Sequence, residues 1–250
     1  MEKILVFGDI HGRGFWKGPF AEYVNKVDKV VFLGDYLDFY PDEWEGVEHT
    51  REDDMDNFLQ IIDLKREYGD KVILLKGNHD EHYASITFDR LAGGTRKDNK
   101  NANTIRQIFK EFSDYFQLAY EETISEKRFL FTHAGVTKSW YEKYKNLIGE
   151  LNADNLNKLD ETDDGQRALC DISSYRSWFG DKTGSILWSD VRERMVDKSE
   201  TIDGVFQVFG HTRLNEKPII TDSWACVDCS KPFIIYENGL LTELKENEQE

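Results

Sequence analysis

The residues with chemistry to offer come in five short groups. Gly8-Asp9-Ile10-His11-Gly12 is followed by Gly34-Asp35-Tyr36-Leu37-Asp38 and by Lys76-Gly77-Asn78-His79-Asp80. His133-Ala134-Gly135 and Gly210-His211-Thr212 complete the set. Four of the six histidines lie in these groups: His11, His79, His133 and His211. With the carboxylates and the Asn78 amide oxygen they make a mixed nitrogen and oxygen donor set. Such donors suit manganese, iron, zinc or magnesium rather than a soft metal. Asp-x-His places two side chains on the same side of an extended strand end, and flanking glycines permit tight turns and close approach. One such group is a weak signal, because a lone buried histidine is more often a satisfied core residue; five in one chain are a strong one.

Each group needs an element to hold it, and each follows an apolar run. The runs are Lys3–Phe7, Lys29–Leu33, Lys71–Leu75, Arg128–Thr132 and Val205–Phe209. They read as buried strands. The second run ends in two carboxylates, Asp35 and Asp38, which are costly to desolvate unless something pairs with them. Ligands in α/β folds bind at the carboxyl ends of strands, so strands of one direction would bring the five groups to one edge. Later β-type runs are Pro218–Thr221, Ala225–Val227, Phe233–Tyr236 and Leu240–Leu244. Helical spacing marks 55–68, 103–116 and 138–148, the second with Ile105, Ile108, Phe109 and Phe112 on one face. Residues 149–184 read as short helices and loops. Strand–helix alternation early and strand–turn–strand late predict a layered α/β fold.

The chain has 250 residues, enough for a substantial core. No repeat or linker breaks it, and one domain over residues 1–244 with an acidic tail at 245–250 is expected. No stretch of about 18 apolar residues offers a membrane-spanning helix, and the first residues lack a signal-peptide pattern. Three cysteines, Cys170, Cys226 and Cys229, are an odd and low count that fits a reducing compartment; a cytoplasmic protein is expected. The Cys226–Cys229 spacing allows a metal half-site or a redox pair, but no second pair completes a zinc site, so the pair is read as small residues ending a strand. A net charge of −16 disfavours nonspecific nucleic-acid binding. Residues 42–56 hold eight acidic side chains, read as a solvated surface or as a dock for a regulatory partner.

The ordered pattern GDxHG, GDxxD, GNH(D/E), HAG and GH resembles the calcineurin-like metallophosphoesterases. FTHAGV at 131–136, ILWSDV at 186–191 and VFGHT at 208–212 followed by PIITD at 218–222 are most similar to the branch containing serine/threonine protein phosphatases and bacterial symmetrical diadenosine tetraphosphate hydrolases. The resemblance spans roughly residues 3–236, with 40–54 and 149–184 uncovered. It implies a central β-sandwich flanked by helices, with two divalent cations at one end; because the mixed donor set tolerates several metals and availability decides, manganese is the metal expected. Asp9 and His11 would bind the first metal, joined by His211. Asp35 would bridge both, and Asn78 and His133 would complete the second site. His79 would face the leaving group as a proton donor, hydrogen-bonded by Asp38. The implied chemistry is in-line attack on phosphorus by a hydroxide that the two cations make available near neutral pH.

Two departures bear on the substrate. The branch usually reads GDxxDRG, with an Arg that grips phosphate; Phe39 stands there. Lys76 stands where an Arg often precedes GNH, and Lys cannot reproduce a bidentate fork. Arg13, Arg96, Arg176, Arg192 and Arg213 are the available replacements, Arg13 first because it directly follows GDIHG. Phe39, Tyr40 and Trp44 follow the second group; they would stack on a base or line a pocket, or else belong to the core, the reading preferred. The expected substrate is a phosphoprotein or a small phosphate monoester. Dinucleoside polyphosphates or phosphodiesters are the alternative, and an inert scaffold is disfavoured by the complete ligand set.

Overall fold

The computed structural model describes residues 3–41, 48–92 and 94–245. Among them run the strands β1 (Ile4–Phe7), β2 (Lys29–Phe32), β3 (Val72–Leu75), β4 (Phe116–Gln117), β5 (Ala119–Ile124), β6 (Lys127–Thr132), β7 (Phe206–Phe209), β8 (Ile219–Ile220), β9 (Trp224–Cys226), β10 (Pro232–Ile235) and β11 (Leu241–Glu243). The helices are α1 (Lys17–Tyr23), α2 (Arg51–Tyr68), α3 (Asn78–Ala84), α4 (Ile86–Leu91), α5 (Ala102–Glu111), α6 (Lys138–Ile148), α7 (Ala153–Asn157), α8 (Asp163–Leu169) and α9 (Val191–Val196).

The strands form two sheets. One has the order β11-β10-β1-β2-β3-β4 and the other β5-β6-β7-β9-β8. β1 through β4 run parallel, as do β6, β7 and β9. Alternate side chains of the first sheet, Ile4, Val6, Val31, Leu33, Ile73 and Leu75, share one apolar cluster with Phe129, Phe131, Phe206 and Val208 of the second. The opposite face of the first sheet, with Leu5, Phe7, Val30 and Phe32, packs against Phe20 of α1, Phe58, Ile61 and Ile62 of α2, and Ile105 and Phe109 of α5. Leu130 of β6 packs instead with Trp140 of α6, Leu156 of α7 and Leu169 of α8. Both faces of the central strands are therefore covered, and their sequences read as continuous apolar runs rather than alternations. Removing one fully enclosed side chain such as Phe58 from water contributes about 2–3 kcal/mol. This layered α/β sandwich is the architecture expected from the sequence.

The differences have local causes. α2 starts at Arg51 rather than Met55 because Thr50 caps it: its hydroxyl accepts from the Asp53 amide, and the Asp53 carboxylate accepts from the Thr50 amide. Part of the acidic stretch is thus a helix start, favoured by the N-terminal dipole; residues 42–47, with Trp44, lie outside the described residues, as does the tail from 246. The helix expected to reach Phe116 ends at Glu111, and Phe116 opens β4. Residues 149–184 hold α7, a 3-10 turn at Lys158–Glu161, α8 and a loop. Among the described residues no helix is long and apolar enough to cross a membrane.

Candidate metal centre and active site

Parallel strands deliver the five polar groups to one end of the sandwich. The His11 and Asp9 side chains follow β1, with His11 Nε2 3.9 Å from Asp9 Oδ2 and 3.5 Å from Asp35 Oδ2. From the other sheet, His133 Nε2 reaches to 3.4 Å from the same Asp35 oxygen, to 3.1 Å from Asn78 Oδ1 and to 3.0 Å from His211 Nδ1. Asp35 sits between the two groups, where a bridging carboxylate belongs. His11, Asp35 and His79 form one buried triad and Asp35, His133 and His211 another, the donor atoms of each lying within 4.8 Å of one another.

Close backbone approach shapes both halves. A Cβ on Gly77 would stand 2.0 Å from Asp35 Oδ1, and one on Gly210 would stand 2.2 Å from Asp9 Oδ1. Only glycine leaves those carboxylates in place. The Asp35 carboxylate also accepts from the His79 amide, and Asp9 accepts from the His211 amide, at 2.9 and 2.8 Å. Four site residues adopt left-handed backbone: His11 (φ 43°), Asp35 (φ 52°), Asp38 (φ 66°) and His211 (φ 62°). Such conformations are uncomfortable for residues with a Cβ and concentrate at functional sites.

The donor set fits divalent cations. His11 Nδ1 donates to the Leu37 carbonyl at 2.7 Å and His133 Nδ1 to that of Leu33 at 2.8 Å. Each ring is thereby oriented with Nε2 facing the carboxylates, the usual outer support of a metal-ligating imidazole. His211 Nε2 is buried with no hydrogen-bond partner. Burial pushes His11 down to about 3, and burial followed by the Arg176 charge pushes His211 well down, so both are neutral donors. Burial opposes charge on His133, but Asp35 and Asp9 outweigh it and hold the ring up to about 10. The centre between those carboxylates thus favours positive charge.

Beside this centre lies the pair expected to move a proton. His79 Nδ1 donates to Asp38 Oδ2 at 2.9 Å. Asp38 is wholly buried and also accepts from Tyr83 Oη at 2.6 Å and from Arg51 at 2.9 Å. Burial works against a charged His79, yet Asp35 and Asp38 prevail and raise it above the ordinary histidine value. Burial likewise opposes the Asp38 carboxylate, and the His79 bond and charge, Tyr83 and Arg51 overcome it and lower its pKa.

The structure rearranges several expectations. The His211 ring does not group with Asp9 and His11; it lies against His133, and only its main-chain N–H meets Asp9. The positive φ at His211 turns the ring towards the second group. Lys76 does not face the metal centre. Its ammonium pairs with buried Glu81 at 2.8 Å and with Asp160, on the far side of the Gly77 turn. Arg13 stands on the cavity wall, but it donates to the carbonyls of Ile10 and Asp9 and to Ser230 Oγ. Arg192 points away, doubly bonded to Asp190. Tyr40 lines the cavity instead of joining the core, its ring edge-on to His11 at 4.9 Å.

Four contributors escaped sequence reasoning. Asp80 accepts from the amides of Asp35, Gly77 and Tyr36 and so braces two of the polar turns together. Tyr83 and Arg51 hold Asp38. Asp228, buried beyond the end of β9, faces Arg13 at 3.6 Å, and its Oδ1 has no hydrogen-bond partner; burial and then Asp9 push its carboxyl well up. The strand-end pattern that marked the other groups also marks Asp228, as the polar residue directly after the run Ala225–Val227. A cavity of about 420 Å³ joins the metal-centre residues to Tyr40, Arg96, Arg176 and Arg213.

A sandwich of two mixed sheets with buried His/Asp clusters at one end defines the class. The model of the calcineurin-like phosphoesterases matches residues 2–215, and the chain belongs to that family. It is a hydrolase acting on phosphate ester bonds. Solved structures of similar fold include a cold-active protein tyrosine phosphatase, at 17% identity and a TM-score of 0.54, covering 99% of this chain and 80% of that one. Another is a serine/threonine phosphatase of Saccharomyces cerevisiae, at 14% identity and a TM-score of 0.53, covering 100% of this chain and 81% of that one.

Proposed function

We propose that the protein is a metal-dependent phosphomonoesterase that releases phosphate from a phosphoprotein or a small phosphate ester. One observation carries the reading: two buried triads share Asp35, and His79, a member of the first, is hydrogen-bonded through Nδ1 to Asp38. Asp9, His11, Asp35, Asn78, His133 and His211 would hold two divalent cations, manganese being the metal we assign first. Such a pair grips phosphate oxygens and supplies a nucleophile at neutral pH. The chain's own side chains do the rest. His79, whose pKa Asp35 and Asp38 raise against the pull of burial, would give its proton to the departing oxygen. Asp38 fixes the ring that does so, and Tyr83 and Arg51 fix Asp38. Tyr40 and Trp188 line the cavity beside the centre. Three free cysteines accord with work in a reducing compartment such as the cytoplasm. The two phosphatases of similar fold are consistent with the monoester reading.

The test is a substrate panel with added Mn²⁺: phosphopeptides, nucleotides, dinucleoside polyphosphates and a bis-aryl phosphodiester. Monoesters are expected to be turned over fastest. A wide preference for the diester or for the dinucleoside polyphosphate would overturn the proposal.

A further inference from the structure

The branch arginine replaced by Phe39 leaves a question of how a second negative charge on the substrate would be met. The Phe39 ring carries a different arginine, Arg51, with its guanidinium carbon 5.2 Å from the ring centroid. That guanidinium is spent on Asp38 and on the carbonyl of Arg96, the latter at 2.9 Å. Its second bond pins the backbone of residue 96 at the mouth of the cavity.

The segment so pinned is equipped for an anion. The Arg96 guanidinium lies over the Tyr40 ring at 4.6 Å, and Arg213 approaches the same ring at 6.0 Å. Among the described residues no carboxylate pairs with the Arg96 side chain. That is notable in a chain with 48 acidic against 32 basic residues. The neighbouring Thr95 hydroxyl is buried without a hydrogen-bond partner and lines the same cavity. An unmet buried hydroxyl costs free energy that an incoming acceptor returns. Tyr40 in turn stands edge-on to His11 and 6.4 Å from the His79 ring. The Arg96 guanidinium is thus set one aromatic ring's width beyond His11, and the Thr95 hydroxyl lines the same cavity. Arg13 and Arg176 differ in kind: the first is bonded into the wall, and the second is paired with Asp190 at 3.0 Å.

We propose that Thr95 and Arg96, the latter held on the Tyr40 ring, form an anion subsite, and that the substrate is a phosphomonoester bearing a second anionic group a short chain away from the phosphate that is cleaved. This rests on the monoesterase reading above. The second group is a phosphate or a carboxylate; both accept hydrogen bonds from a guanidinium fork and a hydroxyl. Tyr40 acts as a positioning residue, since its ring face holds Arg96 by cation–π attraction.

The experiment compares three esters of one chain length in the presence of Mn²⁺: butyl phosphate, butanediol bisphosphate, and butyl phosphate with a terminal carboxylate. The wild-type protein is expected to favour the doubly anionic esters in kcat/KM. Arg96→Gln and Thr95→Val are each expected to shrink that preference about tenfold, chiefly through KM, as loss of a charged or buried hydrogen bond does. Arg96→Lys recovers part of it. Tyr40→Phe keeps the preference and Tyr40→Leu loses it. A preference confined to the bisphosphate identifies phosphate as the second group, and an equal preference identifies any anion; both uphold the subsite. Equal kcat/KM for all three esters, or a preference unchanged in Arg96→Gln, overturns it while leaving the monoesterase reading intact. Hydrolysis of none of the three overturns the subsite, while the monoesterase reading is decided separately by the phosphopeptides and nucleotides of the panel above.

Discussion

Asp35 touches both histidine groups and a main-chain amide, so its loss should disturb more than one role. Asp35→Asn keeps the size but removes the charge that His11, His79 and His133 face. It is expected to lower kcat/KM more than about 100-fold and to reduce bound metal, measured by elemental analysis of the dialysed protein. His79→Asn should behave differently. Metal content stays near wild type, and the rate on an alkyl phosphate falls about 100-fold or more, while a nitrophenyl ester, whose leaving group needs no proton, loses far less. Loss of metal from this variant, or full activity on the alkyl ester, would show that His79 is a ligand and not a proton donor.

Elements differ in how plainly their sequences announce them. β1, β2, β3, β6 and β7 are legible because burial on both faces leaves no polar alternation to misread. β5 was not expected: its Tyr120, Glu121 and Glu122 are only half-buried, on an edge strand paired with β6 alone. α1 hides behind Gly18 and Pro19 in seven residues. α3 is less legible for a chemical reason. Its sequence, NHDEHYA, reads as a polar loop, yet Asn78, His79, Asp80, Glu81 and His82 are all buried, because they serve the site and its supports rather than solvent. The polar groups that gather at the site were legible from residue type and strand-end placement, although His211 groups with His133 and not with His11. The supports Tyr83, Asp80 and Arg51 were not, since they come from helices whose facing is set only by packing. One polar side chain links two elements: Asn157 of α7 accepts from the amides of Leu118 and Ala119 and donates to the Ala119 carbonyl. Asn157→Ala should cost about 2 kcal/mol in urea unfolding with an unchanged m-value.

At the scale of the molecule, the centre joins the two sheets at one end: Asp9, His11, Asp35 and Asn78 follow strands of one, and His133 and His211 follow strands of the other. A cation held by these residues would link the two sheets and would add to stability by mass action. Saturation at about 100 times the dissociation constant should contribute about 2.7 kcal/mol. Chelation followed by dialysis is therefore expected to lower Tm, and Mn²⁺ to restore it, whereas in Asp35→Asn the restoring shift should shrink. An equal shift in both proteins would place the bound ion elsewhere on the acidic surface.

The left-handed backbone at His11, Asp35, Asp38 and His211 has a consequence for how such a chain can change over generations. At each of these places the polypeptide by itself would prefer glycine, by about 1–2 kcal/mol. Selection for thermal tolerance alone, with no demand for turnover, would accept glycine there and harvest the relief. The motif is thus held in the population by its chemistry against the inclination of its own main chain, and a descendant freed from catalysis should lose these side chains before it loses its sheets.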